Sequence, residues 1–168
     1  MSEFDVTVIG SGPGGYVAAI RSAQLGMKTA IVEKYSTMGG TCLNVGCIPS
    51  KSLLDSSHHY EEAVKKFPEH GINIDGKINV DLSKMIDRKQ AVVDQTTKGI
   101  DYLMKKNNIT VYNGLGSFKD NNNIDLIVDG KISKTISSKN FIIATGSKPN
   151  QLPFAKIDKD RIISSTEA

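Results

Sequence analysis

Tryptophan is absent from the 168 residues, there are only two cysteines and five prolines, and aromatic residues make up 6%. Two cysteines cannot build the disulfide scaffold of a small secreted protein. Long apolar runs are also missing: stretches such as Phe141 to Ala144 fall far short of the ~20 residues that span a bilayer, so no membrane association is expected. Charge of one sign is scarce, because 21 Lys and Arg against 18 Asp and Glu leave a net +3, and the basic residues are scattered. No nucleic-acid footprint is visible. The start, Met1-Ser2-Glu3-Phe4-Asp5, has neither a basic cluster nor an apolar export segment, which points to the cytoplasm. What remains is 39% hydrophobic and 23% charged, the composition of a soluble globular domain. A chain of this length buries roughly 68–70% of its unfolded surface, enough for a core without staples or structural metal.

The pattern predicts an α/β fold. Val6-Thr7-Val8-Ile9 reads as a strand ending in glycines, Tyr16 to Leu25 as a helix closed by Gly26, and Lys28 to Glu33 as a second strand. That is a β-α-β unit, parallel and right-handed. Gly39 to Pro49 is rich in Gly and Cys, and a helix is predicted from Ser50 to Lys66. A longer helix is expected after the N-cap Asp81, running to Lys106 with Leu82, Met85, Ile86, Val92, Val93, Ile100, Leu103 and Met104 on its buried face. Short β-like pieces at 109–112, 116–118, 124–128 and 135–137 predict a small antiparallel meander whose tip is Asp120 to Asn123. Phe141 to Ala144 reads as one more buried parallel strand. A Rossmann-like domain is therefore expected over 1–150, with the meander at about 112–140, and a tail over 151–168.

Two motifs carry chemistry. Gly10-Ser11-Gly12-Pro13-Gly14-Gly15 fits G-x-G-x-x-G between a strand and a helix. Gly10 permits the sharp turn, Gly12 admits a pyrophosphate close to the backbone, Gly15 lets helix and sheet pack, and the helix dipole faces the phosphates. Glu33, at the end of the second strand, is placed to accept hydrogen bonds from an adenosine ribose. The second motif, Gly39 to Lys51, holds Cys42 and Cys47. Five residues of regular helix rise ~7.5 Å, beyond the ~4.4–6.8 Å between Cα atoms of a disulfide. If the two bond, the backbone between them is not regular helix. Gly46 and Pro49 suit such a distortion, and a thiol near a helix N-terminus favours the thiolate. Two buried structural thiols are the bland alternative. Half of a zinc site is the other, but no second Cys pair exists and His58, His59 and His70 do not supply one. No metal is expected. Lys51 follows Cys47 by four residues and could set a cation beside an electron-rich ring, although a lone lysine is ordinarily solvated.

Together, GSGPGG at 10–15 and GGTCLNVGCIPSK at 39–51 resemble the pyridine nucleotide-disulfide oxidoreductases. Within that family, Ile48 to Lys51, Leu53-Leu54, Ser57 to Tyr60 and Ile162 to Thr166 resemble the dihydrolipoamide dehydrogenase branch, and the likeness covers essentially the whole chain. Glutathione and trypanothione reductases typically carry Lys where Ser50 stands; mercuric reductases share much of the Cys motif. The resemblance implies FAD as cofactor. Gly10, Gly12, Gly14 and Gly15 would hold its pyrophosphate, Glu33 its adenosine ribose with Lys34 alongside, and Gly116 its adenine side. Gly40, Thr41 and Cys42 would line the flavin, Thr145-Gly146-Ser147 would make a second contact, and Lys51 would sit by flavin N5. Cys42 would be the interchange thiol and Cys47 the charge-transfer thiol.

The implied partners are NAD+ as co-substrate, the lipoyl domain of a 2-oxo acid dehydrogenase or glycine cleavage complex, and a second subunit that supplies a catalytic His-Glu pair. No second G-x-G-x-x-G follows, so the sequence reads as the flavin and disulfide portion, expected not to turn over alone. Another disulfide reductase of mercuric or glutathione type, or a flavin-binding thiol-exchange module without turnover, are the competing readings.

Overall fold

The computed structural model describes residues 3–167. Strand β1 (Phe4–Ile9) leads into helix α1 (Pro13–Gln24) and strand β2 (Thr29–Glu33). Helices α2 (Gly40–Val45), α3 (Cys47–Glu61) and α4 (Leu82–Lys106) follow, then strands β3 (Thr110–Asn113), β4 (Leu115–Asp120), β5 (Asn123–Val128) and β6 (Lys131–Ile143). One six-stranded sheet has the order β3-β2-β1-β6-β5-β4. Its β3, β2, β1 and the end of β6 are parallel; the start of β6 pairs antiparallel with β5, and β5 with β4.

Every residue of β2 is buried, as expected of an inner strand covered on both faces. Alternation sorts the side chains. Val6, Val8 and Ile31 join Ala19, Leu43, Ile100 and Met104 in a core shared with the helices, while Ile9, Ala30 and Val32 join Ile124, Leu126 and Ile136 beneath the meander. Each fully buried side chain of this kind contributes about 1.5–3 kcal/mol.

Several expectations are corrected. Thr110–Asn113 is no meander strand: it pairs parallel with β2, Ala30 opposite Thr110. The reason is connectivity, since α4 returns the chain across the sheet and only Asn107 to Ile109 separate it from β3. The pieces at 135–137 and 141–144 belong to one strand, β6, through Ile143, and its end is not the buried strand expected, since Ile142 and Ile143 are exposed. Polar Ser138 and Asn140 hide its continuity from a hydrophobicity reading; Ser138 is fully buried and its hydroxyl bonds the Asn140 carbonyl at 2.9 Å.

The first helix begins at Pro13, three residues before Tyr16, because proline suits the first helical position, where its missing N–H is not needed. The Gly- and Cys-rich stretch is helical in two pieces, so the helix expected from Ser50 starts at Cys47, with Pro49 in its first turn. That helix ends at Glu61 rather than Lys66; residues Glu62–Lys66 form a wider π turn. On α4, Asp81 caps as expected, its side chain accepting from Lys84 N at 3.0 Å. Only Val93, Thr97, Ile100 and Met104 are buried on it; Leu82 and Ile86 are exposed, because the first turns of α4 extend past the sheet's cover.

Candidate redox and dinucleotide site

The parallel strands end together; Gly10 follows β1, Glu33 ends β2 and Thr145 to Ser147 follow β6 at that edge, whereas Lys51 lies on α3 and Gly116 on β4. Gly10 follows β1 with φ +98°, and a Cβ there would enter the backbone of Ala144, just past β6. Gly12 caps α1 without any side-chain bond; Pro13 has no N–H and Gly15 N donates to the Gly12 carbonyl at 2.8 Å, so in the first turn it is the Gly14 N–H that is left for a ligand. Gly14 faces open space, and at Gly15 a Cβ would collide with the Gly10 carbonyl. Gly116 of β4 packs across Ile9 and Val32, both 3.4 Å from where its Cβ would stand. Thr145, Gly146 and Ser147 are exposed beyond β6.

Glu33 is 5% exposed, and protein donors already hold its carboxylate. Oε2 accepts from Ser11 N at 2.9 Å and Ser11 Oγ at 2.6 Å, and Oε1 accepts from Tyr35 N at 2.9 Å. Sequence reasoning placed Glu33 but missed Ser11. Its only signal was a hydroxyl at a position the glycine fingerprint leaves open. Lys34 is exposed, its Nζ 4.7 Å from the centre of the Tyr35 ring.

A direct contact joins this cradle to the cysteines. Gly39 N donates to Ser11 O at 3.0 Å, and Gly39 caps α2. At Gly40, φ is +59°, and a Cβ would lie 2.7 Å from the Cα of Gly12. The glycine loop and the start of α2 thus meet backbone to backbone. Asn44, a second residue the sequence did not single out, pins this turn by donating to the carbonyls of Met38 at 3.1 Å and Gly40 at 2.9 Å. Its polarity between two cysteines was the available clue.

Cys42 and Cys47 are bonded, with Cα atoms 4.6 Å apart. As the spacing required, the helix breaks between them, at Gly46 with φ −133° and ψ −107°; a Cβ there would stand 2.9 Å from the Thr41 carbonyl oxygen. Thr41 and Cys47 are exposed, and Cys42 is half-buried. Lys51 is exposed on α3, one turn beyond Cys47.

Arg88 of α4 fixes that helix: Nη1 donates to Ser52 O at 3.1 Å, Ser52 Oγ at 3.0 Å and Ser56 Oγ at 3.2 Å, and Nη2 to Asp55 Oδ2 at 2.8 Å. Among the described residues, no group of three or more His, Cys, Asp or Glu side chains is placed to hold a metal. No helix among them is long and apolar enough to cross a membrane.

A dinucleotide-type glycine turn thus stands in backbone contact with a disulfide helix. The pattern of the family described as pyridine nucleotide-disulphide oxidoreductase covers residues 4–168. The chain belongs to this family. Among relatives, the mitochondrial dihydrolipoyl dehydrogenase of Schizosaccharomyces pombe is 52% identical over 167 residues, 99% of this chain and 32% of that protein. The dihydrolipoyl dehydrogenase of Trypanosoma brucei brucei is 49% identical over 168 residues, 99% of this chain and 35% of that protein. Leghemoglobin reductase of Vigna unguiculata is 50% identical over 167 residues, 99% of this chain and 32% of that protein.

The chain spans about a third of the length of these curated relatives. Among solved structures, a Cu(II) complex of the HOCl-induced flavoprotein disulfide reductase RclA from Escherichia coli superposes with a TM-score of 0.74 at 24% identity, covering 91% of this chain and 31% of that one. The α/β fold of this oxidoreductase family is thereby shown from the coordinates as well as from the sequence.

Proposed function

We propose that this chain is the FAD-binding, redox-disulfide portion of a dihydrolipoyl dehydrogenase, which oxidises protein-bound dihydrolipoamide and passes two electrons to NAD+. The observation that carries the reading is the Cys42–Cys47 bond set across a helix break whose first turn touches the glycine cradle. The residues present fit FAD. Bare glycines leave room, and Gly14 an N–H donor at the start of α1, for a pyrophosphate, and Oε1 of Glu33, with one protein donor, keeps an acceptor position for a ribose hydroxyl. In this reading Gly10, Gly12, Gly14 and Gly15 hold the pyrophosphate, with Glu33 and Lys34 at the ribose and Gly116 toward the adenine. Gly40, Thr41, Cys42 and Lys51 line the flavin, and Thr145 to Ser147 close the cradle from β6.

The cysteines do the chain's own chemistry. One thiolate of a dithiol substrate attacks Sγ of Cys42, the Cys42–Cys47 bond breaks, and Cys47 leaves as a thiolate. The second substrate thiolate attacks the mixed disulfide and releases Cys42, so the substrate leaves as a disulfide and two electrons reside on the pair. Cys47, at the start of α3, is stabilised as a thiolate by the helix dipole. Bound FAD supplies the two-electron acceptor through which the pair is reoxidised and NAD+ reduced. The partners in this reading are the lipoyl domain of a 2-oxo acid dehydrogenase or glycine cleavage complex and a second subunit. In this reading the compartment is the cytoplasm, where structural thiols stay reduced and a disulfide belongs to a working redox pair.

The test is the visible spectrum of the purified chain, before and after adding FAD and again after a dithiol reductant. Flavin uptake followed by a long-wavelength band on reduction, lost in Cys47→Ser, is the expected result. FAD bound with no such band in the wild-type chain would overturn the assignment of Cys47.

A further inference from the structure

Ser11 stands at the open position of the glycine fingerprint, fully buried, and its bonds have a fixed direction. Gly39 N can only donate, and it reaches Ser11 Oγ at 3.3 Å. Oε2 of Glu33, which accepts from Ser11 N, lies 2.6 Å from the same oxygen and accepts from it. The hydroxyl proton therefore points at Glu33. With Ser11 N also on Oε2 at 2.9 Å, that oxygen carries two donors and is fully used. Oε1 takes only Tyr35 N, at 2.9 Å, and retains a lone pair.

We infer that Ser11 is a positioning residue. It pins one oxygen of Glu33 so that the other is presented to a single hydroxyl of the adenosine ribose. This rests on the dinucleotide reading given above and deepens it. Glu33 then binds the sugar through one oxygen, not as a bidentate clamp. The same serine, through its carbonyl and hydroxyl, holds Gly39 at the start of the disulfide helix α2. One side chain thus fixes both the sugar-reading carboxylate and the entry to the cysteines.

The probes are ADP and 2′,3′-dideoxy-ADP, which differ only in the ribose hydroxyls, titrated calorimetrically into the full 168-residue chain. A hydrogen bond to a charged acceptor favours the hydroxylated ligand by about tenfold or more. The wild-type chain is expected to show that preference. Ser11→Ala is expected to bring it to about threefold or less, with both ligands still bound through the pyrophosphate. Glu33→Gln is expected to reduce it as well, and Ser11→Ala on that background to change it no further. A merely structural role for Ser11 would weaken both ligands alike and leave the ratio intact; an unchanged ratio overturns the proposal. Circular dichroism identifies a variant that does not fold, in which case Ser11→Thr, which keeps the hydroxyl, is expected to retain the wild-type ratio, and its loss would overturn the proposal. If the wild-type chain binds neither ligand, the dinucleotide reading itself fails, and the proposal with it; if it binds both with equal affinity, the proposal fails alone.

Discussion

Placing alanine at position 40 tests the join between the glycine cradle and the disulfide helix. Two penalties are separable. The backbone sits at φ +59°, where an L side chain costs about 1–2 kcal/mol. The new Cβ would lie 2.7 Å from the Gly12 Cα, so two backbones must part by about 0.7 Å to reach ordinary contact. Forcing a backbone that its surroundings hold in place costs a further ~1–3 kcal/mol. Gly71→Ala isolates the first penalty, because Gly71 has φ +74° with nothing within 4 Å of its Cβ position. At about 2–4 °C per kcal/mol for a chain of this size, Gly40→Ala should melt roughly 4–20 °C below wild type and Gly71→Ala roughly 2–8 °C below. The sharper contrast is in the cofactor. Gly40→Ala parts Gly12 from α2 and should lose FAD affinity at least tenfold, read from flavin fluorescence; Gly71→Ala should keep it. Equal melting temperatures with unchanged flavin binding in both would refute the claim that the two backbones must touch.

Arg88→Ala should destabilise the chain by about 1–3 kcal/mol in urea unfolding, because it strands the buried Ser52 hydroxyl, 7% exposed. The half-exposed ion pair with Asp55 contributes little to that figure. Reducing the Cys42–Cys47 bond should lower stability by about 2 kcal/mol, the chain-entropy value for a five-residue separation, measured by urea unfolding with and without dithiol. Backbone N–H groups of Asp160, Ile162 and Arg161 hold the Asp158 carboxyl below the usual carboxylate range. The folded group has the depressed pKa, so its contribution is present above the ordinary carboxylate range and is lost as pH falls through the lowered value. Amide chemical shifts of 160–162 should move together in that acid window, and Asp158→Ala should abolish the transition.

The sequence was most legible where local chemistry decides structure. The turn at Gly10, the cap at Asp81 and the break between the cysteines each follow from a steric or hydrogen-bonding rule acting within a few residues. Pairing was less legible. A four-residue strand such as Thr110–Asn113 carries no mark of which neighbour it will take, and its place beside β2 is set by a helix 25 residues long returning the chain. The continuity of β6 was hidden for a related reason. Ser138 is buried, yet reads as a surface residue until its bond to Asn140 is seen. At the site, the glycines and cysteines announced themselves by type, whereas Ser11 and Arg88 work through partners 22 to 36 residues away that only the folded chain brings within reach, and Asn44 through carbonyls four and six residues back.

Strand β6 is shared by the parallel and antiparallel halves of the sheet, so it acts as a common ruler. Its residues Lys131 to Ser137 set the register of β5, and Ser138 to Ile143 set that of β1. A single residue inserted within it would shift one half against the other and turn side chains such as Ile136 away from the core. A length change beside this stretch is therefore tolerated best at the Asp129-Gly130 turn that leads into it, where the chain reverses direction, and not at Asn122, whose carbonyl accepts from Ser138 N at 2.9 Å.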